Sequence, residues 1–211
     1  MLQVSEIFYS IQGESTFAGL PCVFIRLAGC NLDCYYCDTG YARAGGEDLS
    51  QEEILSRVEE YGCPLVEITG GEPLIQEEAF GLIEELVSRG FRVLVETNGT
   101  VDIGGLHPAA VAIMDIKCPG SGETGKIRWD NLEQLRPDDE LKFVLSSRRD
   151  YLWARKVIRE KIEPGREILL SPVTDTLKPA DLAGWILEDH LDVRLHLQLH
   201  TVIWPDKKRG V

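Results

Sequence analysis

Val23-Phe24-Ile25-Arg26-Leu27-Ala28-Gly29-Cys30-Asn31-Leu32-Asp33-Cys34-Tyr35-Tyr36-Cys37-Asp38-Thr39 is a short apolar run followed by a loop with three cysteines. The run from Val23 to Leu27 reads as a β-strand. The loop spaces its thiols as C-x3-C-x2-C, three within eight residues. A structural zinc site wants four ligands, usually in two separated pairs. A [4Fe–4S] cluster is normally held by four thiolates, one per iron. Three close thiolates with no evident fourth therefore suit a cubane with one iron open to a small molecule. The alternatives are three buried structural cysteines, or zinc completed by a distant ligand. Cys22, Cys63 and Cys118 lie in apolar or loop settings and read as packing residues.

Outward from this strand and loop, strand-like and helix-like segments alternate. Ser50 and Glu53 form a capping box for a helix running to about Tyr61. Strands are expected at Leu65 to Thr69, Arg92 to Glu96, Val111 to Ile116, Leu141 to Leu145 and Glu167 to Ser171. A last strand is expected at Val193 to Leu199, where apolar and polar residues alternate. Helices are expected from Gln76 to Arg89, stopped by Gly90, from Arg148 to Lys161, and from Pro179 to Glu188. Such alternation implies βαβ units and a parallel sheet. About six units in 211 residues predict an incomplete, open β/α barrel. No repeat, low-complexity segment or linker divides the chain, so one domain over 1–211 is expected. Chemistry in such folds gathers at the C-terminal ends of the strands, where every motif is expected to fall.

The bulk properties narrow the function classes. A formal charge of −13 argues against a nucleic-acid partner, because affinity for phosphate backbones rests on Lys and Arg. No apolar run reaches membrane-spanning length, and the first residues lack the basic start and apolar core of a signal peptide. A cytoplasmic protein without membrane contact is expected.

The cysteine spacing resembles that of the radical S-adenosylmethionine (SAM) enzymes. Ser10-Ile11-Gln12-Gly13-Glu14, Phe24 to Asn31 and Cys37-Asp38-Thr39 resemble one branch, the 7-carboxy-7-deazaguanine synthase family. So do Thr69-Gly70-Gly71-Glu72-Pro73, Glu96-Thr97-Asn98-Gly99-Thr100, Lys142-Phe143-Val144 and Gln198-Leu199-His200. The resemblance implies a partial barrel of radical SAM type, with a [4Fe–4S] cluster on Cys30, Cys34 and Cys37. SAM would chelate the open iron, with Gly70, Gly71 and Glu72 at its amino group; glycine admits close approach and a carboxylate can accept from the ammonium. Tyr36, Cys37 and Asp38 would flank the adenine, and Leu169, Leu170, Ser171 and Pro172 would close that side. Asp115, Ile116 and Lys117 would meet the ribose and methionine end.

Thr39 would bind Mg²⁺, which favours hard oxygens and keeps open positions for water or substrate; the plainer reading is a Thr capping the next turn. Ile11, Gln12, Gly13 and Glu14 would read the donor–acceptor edge of a pterin, and Arg26 would fork onto its carboxylate. Thr69, His200 and the terminal Val211 are carried over as further substrate contacts. Ser15 stands where the family commonly has Gly, which stiffens that loop. The implied lyase abstracts hydrogen from C6 of 6-carboxy-5,6,7,8-tetrahydropterin. Ring contraction then expels ammonia to give 7-carboxy-7-deazaguanine for queuosine precursor synthesis, and SAM is regenerated. The family's reductant is flavodoxin-like, its members are commonly homodimers, and no general acid/base pair is assigned.

Two other functions compete. A radical SAM activating enzyme would install a glycyl radical on a partner protein, but leaves the Gln12 block and Gln198-Leu199-His200 unexplained. A non-enzymatic iron–sulfur electron carrier needs a fourth cysteine, for which Cys22, across the strand, is badly placed.

Overall fold

The computed structural model describes residues 1–207 and 209–211. Its strands are β1 (Leu2–Ile11), β2 (Pro21–Leu27), β3 (Glu47–Leu49), β4 (Leu65–Gly70), β5 (Arg92–Thr97), β6 (Val111–Asp115), β7 (Glu140–Leu145), β8 (Glu167–Pro172) and β9 (Arg194–Leu195). They form one sheet in the order β3-β1-β2-β4-β5-β6-β7-β8-β9. From β2 to β9 the pairs are parallel, while β1 and β3 pair antiparallel at one edge. Because β9 does not return to β3, the barrel stays open.

The helices are α1 (Gln51–Glu60), α2 (Glu78–Ser88), α3 (Arg148–Lys161), α4 (Pro179–Glu188) and α5 (Leu199–Ile203). The first four link parallel strands. The β5–β6 connection has no helix and β6–β7 has only 3-10 turns, so the βα repeat is less regular than expected. At α1 the capping box is present: Ser50 Oγ accepts from Glu53 N at 3.2 Å and Glu53 Oε2 from Ser50 N at 2.8 Å. Helix α2 starts later than expected, because Pro73–Ile75 forms its own 3-10 turn first.

One face of each central strand packs under the helices. Ile25, Ile68, Val93, Val95, Phe143 and Leu170 are fully buried there. At about 25 cal/mol per Å² of apolar surface, each such side chain contributes roughly 1.5–3 kcal/mol. The other face points into the barrel, and charged residues interrupt its apolar runs.

Two strands were not expected, β1 and β3. The β1 register shifts between Val4 and Glu6, so its alternation slips and no period of two runs through it. β3 is short and held by backbone pairing with Leu2, Gln3 and Val4. The expected last strand shrinks to Arg194–Leu195. It has no outer neighbour, and the chain leaves the sheet once Leu199 N reaches Gly13 O at 2.9 Å.

The direction of β1 has a functional consequence. Since Ile11 pairs with Pro21 at the start of β2, Gln12 to Leu20 lies at the N-terminal mouth of the parallel strands. The expectation that every motif sits at the C-terminal ends is corrected here. The cluster loop does follow β2, but the Gln12-Gly13-Glu14 block plugs the opposite mouth.

Candidate functional site

Strand register assembles the interior. Arg26 pairs with Thr69, Glu96 with Ile113, Asp115 with Lys142, and Lys142 with Leu169. Side chains alternate with a period of two, so Arg26, Thr69, Glu96, Asp115 and Lys142 share the inward face. Thr69 Oγ1 donates to Glu96 Oε2 at 3.3 Å, and Lys142 Nζ to Glu96 Oε1 at 2.6 Å. Lys142, only 3% exposed, also pairs with Glu14 from the plug. Burial works against the Glu96 carboxylate, but the Lys142 ammonium, helped by Lys117 and Arg26, holds it down at about 2. Arg26 is itself held by Glu6 of β1 at 2.9 Å, and Tyr41 donates to that same carboxylate at 2.7 Å.

The plug reaches this layer from below. Gln12, 2% exposed, donates to Glu67 Oε2 and accepts from Glu14 N at 3.1 Å. Burial, reinforced by Glu96 nearby, pushes Glu67 up to about 8. Gln198 Nε2 donates to Glu14 Oε1 at 2.8 Å. His200 rests on Gly13, where an added Cβ would lie 2.5 Å from its Nδ1. His200, expected just past the end of the last strand, sits on the short helix α5. Ser15, the family departure, has φ +64 and is buried. Glycine visits this left-handed region freely; here the Ser15 hydroxyl offsets its strain by accepting from Phe17 N at 3.0 Å. Ile11 and Val211 line one cavity of about 310 Å³, shared with Tyr9 and Trp204, at the start of β2.

Above the layer lies the three-cysteine loop. Gly29 O accepts from Glu72 N at 2.9 Å, joining this loop to the Gly70-Gly71 turn. A Cβ on Gly71 would come within 2.6 Å of Cys30 Cβ, so only glycine passes there. Glu72 is fully buried, its carboxylate accepting from Leu74 N at 3.0 Å, Thr97 Oγ1 at 2.8 Å and Asn98 N at 2.5 Å. Burial still raises it to about 7. Those bonds make Glu72 the brace of the turn. Tyr36 OH donates to Val144 O at 3.0 Å, tying the loop to β7.

Lys117 Nζ pairs with Asp115 Oδ2 at 2.7 Å, both largely buried rather than solvated. Burial raises the Cys34 thiol, and the Lys117 ammonium opposes that rise. Arg43 NH2 donates to Cys34 O at 3.3 Å. Among the described residues no three Cys, His, Asp or Glu side chains are drawn together at metal-binding geometry. The donor set nonetheless fits the cluster: three free thiols on one loop, cations beside them, and a glycine turn against Cys30. Cys63 bonds to Pro21 O at 3.3 Å at the far mouth, and Cys22 and Cys118 are fully buried. None is placed as a fourth ligand. Thr39 precedes a 3-10 turn without capping it, and its hydroxyl donates to Asp38 Oδ1 at 2.8 Å.

Comparison with known proteins settles the ancestry. The Radical SAM superfamily pattern matches residues 24–114, from β2 to β6. A 7-carboxy-7-deazaguanine synthase of Koribacter versatilis is 43% identical, covering 100% of both chains. The chain belongs to the 7-carboxy-7-deazaguanine synthase family. A second such synthase, from Chlorobaculum tepidum, is 47% identical over 100% of this chain and 97% of its own. The crystal structure of QueE from Escherichia coli superposes with a TM-score of 0.77 at 26% identity, covering 93% of each chain. The fold is thus the open, partial β/α barrel of the radical SAM superfamily, and that superfamily implies a [4Fe–4S] cluster and SAM.

Sequence reasoning missed Glu6, Tyr41, Glu67 and His196, and gave Glu96 and Lys142 no role. A usable signal existed. Parallel strands covered on both faces read as continuous apolar runs, yet Glu67, Glu96 and Lys142 break theirs.

Proposed function

We propose that this chain is a lyase that converts 6-carboxy-5,6,7,8-tetrahydropterin into 7-carboxy-7-deazaguanine with loss of ammonia, supplying 7-deazapurine and queuosine synthesis. The observation that carries the reading is the polar layer between the plug and the cysteine loop. Gln12 and Glu14 enter it from one mouth and meet Arg26, Thr69, Glu96 and Lys142 inside. A bicyclic heterocycle with a carboxylate and a dense donor–acceptor edge matches that lining. Family membership at over 40% identity agrees.

Residues 1–211 act as one radical SAM domain. Cys30, Cys34 and Cys37 would hold the cluster, which with bound SAM supplies a 5′-deoxyadenosyl radical. Gly70 and Gly71 admit the SAM amino end, braced by Glu72. Tyr36, Cys37 and Asp38, Asp115 to Lys117, and Leu169 to Pro172 surround the rest of it. Arg26, pre-oriented by Glu6, takes the substrate carboxylate. Gln12, Gly13, Glu14, Thr69 and His200 orient the ring system, with Ile11 and Val211 at the plug's outer edge. Thr39 would carry one oxygen of a Mg²⁺ shell shared with substrate.

The protein works in the cytoplasm as a homodimer with a flavodoxin-like reductant, apart from nucleic acid and membrane. No helix among the described residues is long and apolar enough to cross a bilayer. The test is anaerobic cluster reconstitution followed by assay with SAM and the carboxytetrahydropterin, with and without Mg²⁺. Carboxydeazaguanine formed without net SAM consumption is expected. Uncoupled SAM cleavage alone sinks the substrate assignment, and an active Cys30→Ala variant sinks the cluster assignment.

A further inference from the structure

The inward polar face does not end at Lys142. Leu169 pairs with Lys142 on one side and Arg194 on the other, so Ser171 and His196 follow on that same face. His196 N donates to Leu170 O at 2.9 Å, which fixes its backbone against β8. The residue is 4% exposed, and both ring nitrogens are buried without a partner. Ser171 Oγ and Asp115 Oδ1, on this face too, are also buried and unpaired. A neutral imidazole offers one N–H donor and one acceptor, and an unpaired buried group costs about 1–3 kcal/mol. Buried polar side chains almost always find partners. Orphaned atoms gathered on one inward face therefore point to a molecule that enters it.

The charges acting on the ring tell which molecule. Glu14, Lys142 and Glu96 all lie close enough to bias it, with Arg194 beyond them. Glu14 belongs to the plug and Lys142 to the layer above it, the surroundings given to the substrate.

We propose that His196 is a substrate-contacting residue, one ring nitrogen hydrogen-bonding to the polar edge of the bicyclic pterin. This rests on the reading of the chamber as a carboxypterin site. The role is separate from that of His200, which packs on Gly13 in the plug. Arg26 lines the inward face on β2, toward one end of the sheet, and His196 thus lines it at the β9 end. Leucine at this position would fill the same space but offer no hydrogen bond.

The test uses the cluster-loaded protein with SAM. Dissociation constants for the carboxytetrahydropterin are measured for wild type, His196→Leu and His196→Gln, together with KM and kcat. His196→Leu is expected to bind substrate about ten-fold more weakly, with KM rising more than kcat falls, and with SAM affinity and iron content unchanged. His196→Gln, which keeps a donor and an acceptor, should recover most of the loss. A crystal structure of the wild-type complex should place a ring nitrogen within about 3.2 Å of a heterocycle nitrogen or oxygen. The proposal is overturned if His196→Leu binds as well as wild type, if it weakens SAM instead, or if both nitrogens bond only to water in that complex. Wild type that binds no carboxypterin would overturn the functional reading itself, a separate outcome. Should His196→Leu fail to fold, the wild-type complex decides alone.

Discussion

Replacing Lys142 by methionine keeps most of the stem and deletes the charge that holds two carboxylates inside the barrel. Lys142 is buried and pairs with Glu96 at 2.6 Å and with Glu14. Breaking a buried pair by removing one partner generally costs about 3–5 kcal/mol, because the other charge is left stranded. The Glu96 carboxylate gives an independent figure. Its fall from the ordinary 4.5 to about 2 corresponds to about 3 kcal/mol at about 1.4 kcal/mol for each pH unit. A quarter of its side chain is open to solvent (26%), which makes that an upper value. A loss of about 3 kcal/mol at pH 7 is therefore expected, or roughly 6–12 °C in Tm for a chain of this size.

The pH dependence makes the reasoning specific. In the native protein Glu96 lies below its unfolded value, so its contribution is present above about pH 4.5 and fades as pH falls toward 2. In Lys142→Met burial dominates and pushes the same carboxyl up, so the variant loses stability as pH rises above 4.5. The Tm difference should thus already be several degrees at pH 5 and widen further toward pH 8, read by anaerobic thermal unfolding of the cluster-loaded proteins. Adding Glu96→Gln should restore part of the loss, because a neutral amide tolerates burial better. A difference that stays constant from pH 5 to 8, or no difference at pH 7.5, refutes the account of Lys142 as the neutralising charge of the chamber.

Three further outcomes follow from the same geometry. Glu67, pushed up to about 8, withholds stability as pH climbs from 4.5, so Glu67→Gln should gain Tm over wild type between pH 5 and 8; parallel Tm profiles would exclude a buried neutral carboxyl there. Gly71→Ala would drive a methyl into Gly29 O and Cys30 Cβ, and should cut iron content and SAM affinity at least ten-fold while circular dichroism stays native; full iron loading would remove the close-contact argument. Thr39→Val should abolish stimulation by Mg²⁺ while leaving SAM binding intact, and a variant still stimulated to the wild-type extent would free Thr39 from the metal.

The parts legible in the sequence share one property: their signal is local. The Ser50–Glu53 capping box, the exact span Arg148 to Lys161 and the strand feeding the cysteine loop each depend on neighbours within a few residues. What stayed hidden depends on direction and face. Strand β1 carries a register shift that erases its period, and without β1 nothing in Gln12-Gly13-Glu14 says from which mouth it enters. The period of two along β4, β5 and β7 separates two faces but does not label the inward one. Only the pairing of Asp115 with Lys142 and of Arg26 with Thr69 does so. Ser15 shows both sides at once: its departure from glycine was visible, yet the reason, φ +64 in a buried loop, belongs to the fold. The plug changes the logic of the site as well. Because one mouth is closed by a chain segment that itself carries candidate substrate ligands, the proposed contacts to the heterocycle and the closure of the chamber would be built from the same residues. On the proposed reading, a change at Gln12 or Glu14 would therefore act on water exclusion and on binding together, whereas a change at Arg26 or His196, on the walls, would act chiefly on binding.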